Sequence, residues 1–349
     1  MNGLRGLGRW MLELLVRLVY WPGRNVPIDL ATIKRVLVIR PDPRVGNVLL
    51  TVPLLRALAA GMPNAKIDIL VASGKERLVE GLPFVNQIVS FNKQDFFKRP
   101  WRFWRLVRSL RDCDVAVEAG HFHAFSFTAG WLTRQTRARI RIGHDRGLAS
   151  RFLTHAVKHE PTRVNDVEAK LELLEPLGIP ASGTQLETTL GREGERTLKL
   201  LTDGLPKQRF AALNLGARKA DHRWPAEQFG ELASRLRARG LIPLLLWGPG
   251  EEALCDAAIA ASRGAAVKGP PTDLEELAAT FRVSAIAVTN DTGPMHLACA
   301  VGAKVVAVFM SQDAERWAHP GPRFAGVKVR ESQDPVAAVD EAVAKLLES

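Results

Sequence analysis

Apolar runs of two lengths alternate along the chain. The short ones, Arg35–Arg40 (RVLVIR), Lys66–Ala72 (KIDILVA), Gln87–Phe91 and Asp114–Glu118 (DVAVE), read as buried strands. A Pro/Gly loop, Pro41–Gly46, follows the first of them and leads into a helical run over Val48–Ala60. The theme returns in the second half. Strands are expected at Phe210–Leu215 (FAALNL), Leu241–Leu246, Ala285–Val288 and Lys304–Phe309, with helices at Ala226–Arg239 and Asp273–Phe281 and a helix stop at Gly302. Such alternation gives an α/β fold with parallel sheets. Between the halves lies a polar, helical stretch with Gly204 and Pro206 near its end, which reads as a connector. The expected organisation is an N-terminal amphipathic extension over 1–30, a Rossmann-like domain over 31–190, a linker over 191–209 and a second Rossmann-like domain over 210–349. Ligands of such domains bind at the carboxyl ends of the strands.

Length agrees with two domains, since 349 residues is more than twice the usual domain size. With 46% hydrophobic and 24% charged residues, the composition excludes disordered, collagen-like and disulfide-scaffold classes. Cys113, Cys255 and Cys299 make an odd number without CxxC spacing, so they read as buried thiols in a reducing compartment. The net charge of +11 is unevenly placed. Residues 1–190 hold 28 basic and 17 acidic side chains, and residues 191–349 hold 20 of each. The first half is therefore expected to face something anionic.

Two segments bear on what that is. Trp10–Trp21 (WMLELLVRLVYW) is too short to span a bilayer, and Glu13 and Arg17 inside it argue against a signal peptide. Arg9, Glu13 and Arg17 share one helical face, with Trp10, Leu14, Leu18 and Trp21 away from it. An in-plane helix at a membrane surface fits this pattern, and so does a helix packed on the domain. In Lys98–Arg111 (KRPWRFWRLVRSLR), Arg99, Arg102, Arg105, Arg108 and Arg111 recur every three residues beside Trp101, Phe103, Trp104 and Leu106. That stripe suits anionic lipid or lipid phosphate, or else it is a solvated face over packed aromatics. No nucleic-acid motif accompanies the charge, so nucleic acid is not an expected partner. The expected location is cytoplasmic, with contact to a membrane surface.

Phosphate loops of the GxxxxGK[ST] type, HExxH, GxSxG and Rossmann GxGxxG motifs are absent from the sequence. Asp112-Cys113-Asp114 spells a DxD but leads into a strand, which makes it a strand-entry turn rather than a metal site. The informative stretch is Asn290-Asp291-Thr292-Gly293-Pro294-Met295-His296, which follows an apolar strand and opens a helix. Such a junction offers backbone N–H groups and a helix N-terminus to a diphosphate, although Asp291 or Thr292 capping its own helix would use the same residues. Its company favours the diphosphate. Leu213-Asn214-Leu215-Gly216-Ala217 and Trp247-Gly248-Pro249-Gly250-Glu251-Glu252 end two further strands, and Glu251 or Glu252 can take ribose hydroxyls.

NLGARKADHRWPAEQF, LLLWGPGEE, DLEELAATFRVSAIAVTNDTGPMHLACAVGAKVVAVF and SQDAERWAHPGP resemble the donor domain of family 9 glycosyltransferases, the ADP-heptose:lipopolysaccharide heptosyltransferases and their relatives. RVLVIRPDPRVGNVLLTVPLLRALAAGMPNAKIDILVA resembles the N-terminal segment of the same family. The resemblance implies a GT-B fold, two facing Rossmann-like domains with the acceptor in the first and the donor in the second. It further implies inverting transfer without metal or cofactor, from an ADP-sugar, ADP-heptose, to the anionic glycolipid of the lipopolysaccharide inner core. By the same resemblance Asp291, Thr292, Gly293 and His296 hold the donor diphosphate and sugar and Glu252 the ribose; Gly216, Lys219 and His222 are further candidates for the donor site. Arg102, Arg105 and Arg108 serve the acceptor or the membrane.

Two departures stand out. The family's first loop ends Gly-Asp, and the resemblance implies that this aspartate takes the acceptor proton. Here the pair is Gly46-Asn47, in a loop one residue longer, and an amide is no base. Asp42 is the nearest carboxylate in the loop and its expected substitute, with His121 and His123 as further candidates. Before Trp-Pro, where the family has lysine, stands His222, with Lys219 and Arg223 nearby. Asn47 keeps open a binding or scaffold protein with impaired chemistry. A hydrolase or epimerase of the sugar nucleotide is the remaining alternative.

Overall fold

The computed structural model describes residues 16, 18–20, 23–204, 209–310, 314–319 and 321–349. The extension expected over 1–30, with its amphipathic helix, lies largely outside the described residues. By contacts the chain divides into an N-terminal unit, residues 1–43 and 50–184, and a C-terminal unit, residues 44–49 and 185–349.

In the N-terminal unit the strands are β1 (Arg35–Arg40), β2 (Lys66–Ala72), β3 (Gln87–Phe91), β4 (Val115–Glu118), β5 (Ile140–His144) and β6 (His155–Val157). They form one parallel sheet in the order β3-β2-β1-β4-β5-β6. The strands β1, β2 and β4 are almost wholly buried, as parallel strands covered on both faces must be. Asp114 enters β4 by accepting the Lys34 and Arg35 backbone N–H groups at 2.8 and 2.9 Å. That contact accounts for the second carboxylate of the DxD as a strand-entry device.

The single helical run expected over Val48–Ala60 is two helices, α1 (Val45–Leu49) and α2 (Val52–Gly61). Pro53, near the start of α2, explains the break, because its ring has no N–H and clashes with the carbonyl four residues back. The basic segment forms α3 (Pro100–Ser109), with Pro100 at its first turn. Helices α4 (Phe127–Gln135) and α5 (Asp166–Leu171) complete the unit's longer helices, and a 3-10 helix, Glu172–Leu177, continues directly from α5. Leu37, Ile39, Leu70, Phe103, Val107 and Leu132 belong to one of its core clusters.

The C-terminal unit opens on α6 (Arg192–Gly204), within the stretch read as a connector. Gly194 at its start donates to Glu275 at 3.2 Å. The elements that follow are β7 (Phe210–Asn214), α7 (Ala226–Ala238), β8 (Ile242–Leu246), α8 (Glu252–Ala261), β9 (Val267–Lys268), α9 (Leu274–Val283), β10 (Ile286–Asn290), α10 (Gly293–Ala300), β11 (Val305–Phe309), β12 (Phe324–Lys328) and α11 (Pro335–Glu348). The sheet runs β12-β11-β10-β7-β8-β9, all parallel. Renumbered from its own first strand this is 3-2-1-4-5-6, the same doubly wound order as in the N-terminal unit. Asp273 and Glu276 make a capping box at α9, and Gly302 at φ +77° provides the left-handed residue that stops α10. Trp224, Phe229, Leu232 and Val288 are buried in the core.

Candidate functional site

In each unit the doubly wound order reverses direction between its first and fourth strands, and a crevice opens there beyond the carboxyl ends. In the N-terminal unit these strands are β1 and β4. The end of β1 carries Arg40 and the Pro41-Asp42-Pro43 loop, and the end of β4 carries Glu118, Gly120 and His121. Together they line a cavity of about 650 Å³ that Ser126 and Thr128 help to close.

Arg40 is buried, donating to the Ala119 carbonyl at 2.8 Å and to His121 Nε2 at 3.2 Å. His121 Nδ1 lies 3.1 Å from Asp166 Oδ1, and Asp166 also holds Lys170. Burial pushes the His121 pKa down to about 4, against the opposing pull of Asp166. Burial alone would raise Asp166, but the Lys170 ammonium and the His121 hydrogen bond outweigh it and hold the carboxyl well below its usual range. Glu118 is taken by Arg146 at 2.6 Å, both side chains being buried. Asp42 and His121 are thus brought to one cavity. His123 is exposed with its ring 5.3 Å from that of His121, and it does not line the cavity.

In the C-terminal unit the reversal falls between β7 and β10. Asn290, fully buried at the end of β10, fastens the two strand ends together. Its Oδ1 accepts the Trp224 N–H at 2.9 Å, and its Nδ2 donates to the carbonyls of Leu215 and Gly216 at 2.8 and 3.3 Å. Next along the chain, Asp291 Oδ2 lies 3.8 Å from His222 Nδ1. Thr292 donates to the Asn290 carbonyl at 3.3 Å and makes no capping hydrogen bond to α10. Gly293 and Pro294 then start the helix, and His296 stands buried in its first turn with Nδ1 2.7 Å from His319 Nε2. Burial lowers the His319 pKa to about 4. Helix α1 packs on this junction. A Cβ on Gly293 would meet Val45, and one on Gly46 would fall on the His296 ring, so glycine permits the close approach. Asn47 is buried in the same helix.

Glu251 and Glu252 divide. Glu251 Oε2 accepts the Gly248 N–H at 2.9 Å, and its carboxylate stands where a Cβ on Gly216 would be. Glu252 instead pairs with Lys268 at 3.0 Å and is exposed. The acid beside Gly216 is therefore Glu251, and Glu252, expected to meet the ribose, points to Lys268. Lys219 is exposed at the turn leading to His222.

On α3, Arg102, Arg105 and Arg108 are exposed while Phe103 and Val107 are buried. The aromatic side chains split. Phe103 stacks on Trp131 at 5.8 Å, whereas Trp101 is 66% exposed and the neighbouring Phe97 81%. The sequence motifs give no role to Asn290, His319 or Asp166. The first two lie inside quoted motifs, but Asp166 stands 45 positions from His121 and nothing local announces it.

Residues 103–343 match the family model described as Glycosyltransferase family 9 (heptosyltransferase). Lipopolysaccharide heptosyltransferase 3 of Escherichia coli (strain K12) is 26% identical over 292 residues, covering 78% of this chain and 81% of that protein. The fold is similar to E. coli heptosyltransferase WaaC with ADP, at TM-score 0.71 and 21% identity over 89% of this chain and 99% of the other. It is also similar to WaaC with ADP-2-deoxy-2-fluoro heptose, at TM-score 0.67 and 22% identity over 90% and 99%. The two parallel doubly wound sheets are those of the GT-B class. With the family model spanning more than half of its length, the chain belongs to glycosyltransferase family 9, the heptosyltransferases, and is a glycosyltransferase.

Proposed function

We propose that the protein transfers a heptose, or a closely related sugar, from an ADP-sugar to the lipopolysaccharide inner core, with inversion at the anomeric carbon and without a metal in the chemistry. One observation carries the donor half of this reading, namely the junction of β10 with α10 beside Gly216 and Glu251. In this reading the diphosphate takes the backbone N–H groups at the start of α10, where the helix dipole favours negative charge. Asp291, Thr292, Gly293 and His296 surround it, with Lys219 and His222 as nearby hydrogen-bonding side chains. The ribose hydroxyls go to Glu251. The names of the relatives agree, since WaaC structures contain ADP and an ADP-heptose analogue.

The acceptor belongs to the cavity at β1 and β4. Its hydroxyl attacks the anomeric carbon opposite the departing diphosphate, and Asp42 takes the proton. Asp42 and Glu118 are the carboxylates lining the cavity, and Glu118 is committed to Arg146. His121, kept neutral and hydrogen-bonded to Arg40, serves to orient the acceptor. Asn47 offers an amide that can bind a hydroxyl without deprotonating it. Negative charge developing on the leaving diphosphate is met by the fixed dipoles of α10, the kind of preorganised stabilisation that contributes most to such reactions.

Exposed Arg102, Arg105 and Arg108 beside exposed Trp101 and Phe97 fit an anionic lipid surface, which would bring the enzyme to its glycolipid. Among the described residues no helix is long and apolar enough to cross a membrane. The exposed arginines and aromatic side chains of this segment support a place for the enzyme on the cytoplasmic face of the inner membrane, beside its glycolipid.

The test is sugar release and transfer from ADP-heptose with and without Kdo-lipid A and without added divalent cation. Transfer that needs the acceptor and is unchanged by Mg²⁺ is expected. ADP binding without turnover would favour the scaffold reading that Asn47 keeps open, and donor breakdown without acceptor would favour a hydrolase.

A further inference from the structure

In the N-terminal unit His144, His159 and Glu172 converge. His144 is the last residue of β5, His159 lies two residues beyond β6, and Glu172 starts the 3-10 helix that continues from α5. His144 Nε2 and His159 Nδ1 lie 3.2 and 2.9 Å from the same oxygen, Glu172 Oε2. All three donor atoms fall within 4.8 Å of one another.

The charge of this cluster does not balance. The Glu172 side chain is 3% exposed, and its ion-pair partners among the described residues are the two histidines. Its other oxygen accepts the Glu160 N–H at 3.2 Å. No lysine or arginine is paired with this carboxylate among the described residues, and buried charges are normally paired or bound to a metal. The His144 side chain is fully buried, and its Nδ1 makes no hydrogen bond of normal geometry among the described residues, although the Ala169 backbone lies near the ring. A proton on Nε2 would bond Glu172 but leave Nδ1 an orphan acceptor. A proton on Nδ1 would turn the Nε2 lone pair onto a carboxylate oxygen. A cation between Nε2 and Oε2 removes that second conflict.

We propose that His144, His159 and Glu172 form a zinc site, two imidazoles and one carboxylate with the remaining position open to water. In tetrahedral zinc sites bonds of about 2.0–2.1 Å set neighbouring ligand atoms about 3.3 Å apart, close to the spacing of these side chains. Two His and one carboxylate also suit zinc among the divalent ions, whereas magnesium and calcium prefer oxygen-only sets. His159 is the partly exposed ligand, with 19% of its side chain accessible, and gives the entry path. Phe122 stacks on it at 3.9 Å and fixes its ring. The ion would tie the ends of β5 and β6 to the segment that follows Asp166 and Lys170. The proposal gives the ion the task of holding these segments together and no part in the transfer step.

The experiment is calorimetric titration of the full-length protein, stripped of metal, with ZnCl2, followed by thermal unfolding with and without zinc. Co²⁺ serves as the spectroscopic probe. One equivalent of zinc per chain, a raised Tm and visible Co²⁺ bands are expected. All three should be lost in His159→Ala, whose partly exposed position lets the variant fold, and in Glu172→Gln. Because His296 and His319 form another histidine pair, His319→Ala is included and should still bind. Absence of zinc binding by the wild-type chain, or binding that survives His159→Ala and disappears in His319→Ala, would overturn the proposal.

Discussion

His296 Nδ1 lies 2.7 Å from His319 Nε2, so the imidazole at the first turn of α10 is held by a second imidazole. Burial keeps the His319 pKa at about 4, below the value of about 6.5 for an unfolded histidine. Below pH 6.5 the unfolded chain takes up a proton that the folded chain refuses. This residue therefore withdraws stability as pH falls from about 6.5 to about 4, by up to about 3 kcal/mol, and no further below that. Denaturant unfolding across this range should show a shallower slope in His319→Gln than in the wild type. Superimposable pH profiles would separate His319 from the acid sensitivity.

Asn290→Ala removes the group that holds the buried Trp224 N–H and the Leu215 carbonyl at the end of β7. Leaving them unsatisfied should cost about 2–6 kcal/mol, from roughly 1–3 kcal/mol for each buried orphan. Urea unfolding measures it, and a loss below about 0.5 kcal/mol would mean that water or the backbone replaces the amide.

Glu251→Ala and Glu252→Ala should behave differently although the residues are adjacent. Loss of charge-assisted hydrogen bonds to a ribose, each about 1.5–3 kcal/mol, predicts ADP binding weaker by roughly tenfold or more in Glu251→Ala. Glu252→Ala should leave ADP affinity unchanged, because this side chain pairs with Lys268 at the surface. Equal losses in both variants would remove the assignment.

Asp42→Asn should lower turnover by about 10²–10⁴-fold with little change in ADP affinity, the signature of a general base. Asn47→Asp in that background tests whether a carboxylate on α1 restores transfer. Wild-type activity in Asp42→Asn would move the base elsewhere.

Much of this architecture was legible before the structure. Strands β1, β2 and β3 end where the sequence places them; β1 and β2 do so because parallel strands covered on both faces are continuous apolar runs bounded by polar turns. Strands β5 and β6 escaped notice for the opposite reason. Arg139 and Arg141 interrupt the apolar pattern, yet Arg141 is buried and satisfied by the Phe152 and Ala138 carbonyls at 2.8 and 2.6 Å. The junction at Asn290–His296 was recognisable as a motif, but spacing alone does not tell Glu251 from Glu252. That depends on the turn before α8, where Glu251 bonds back to Gly248. The His121, Asp166 and Arg40 group joins three segments distant in the chain, and only the folded sheet brings them together.

In the proposed reading the strand ends at Gly216, Glu251 and Asp291–His296 hold the donor nucleotide. The decisive experiment is calorimetric titration of ADP into the wild type, Asp291→Ala and His296→Ala. Saturable binding by the wild type and clearly weaker binding by both variants are expected, at unchanged folded CD spectra. Equal ADP affinity in all three proteins would remove the donor site from these strand ends.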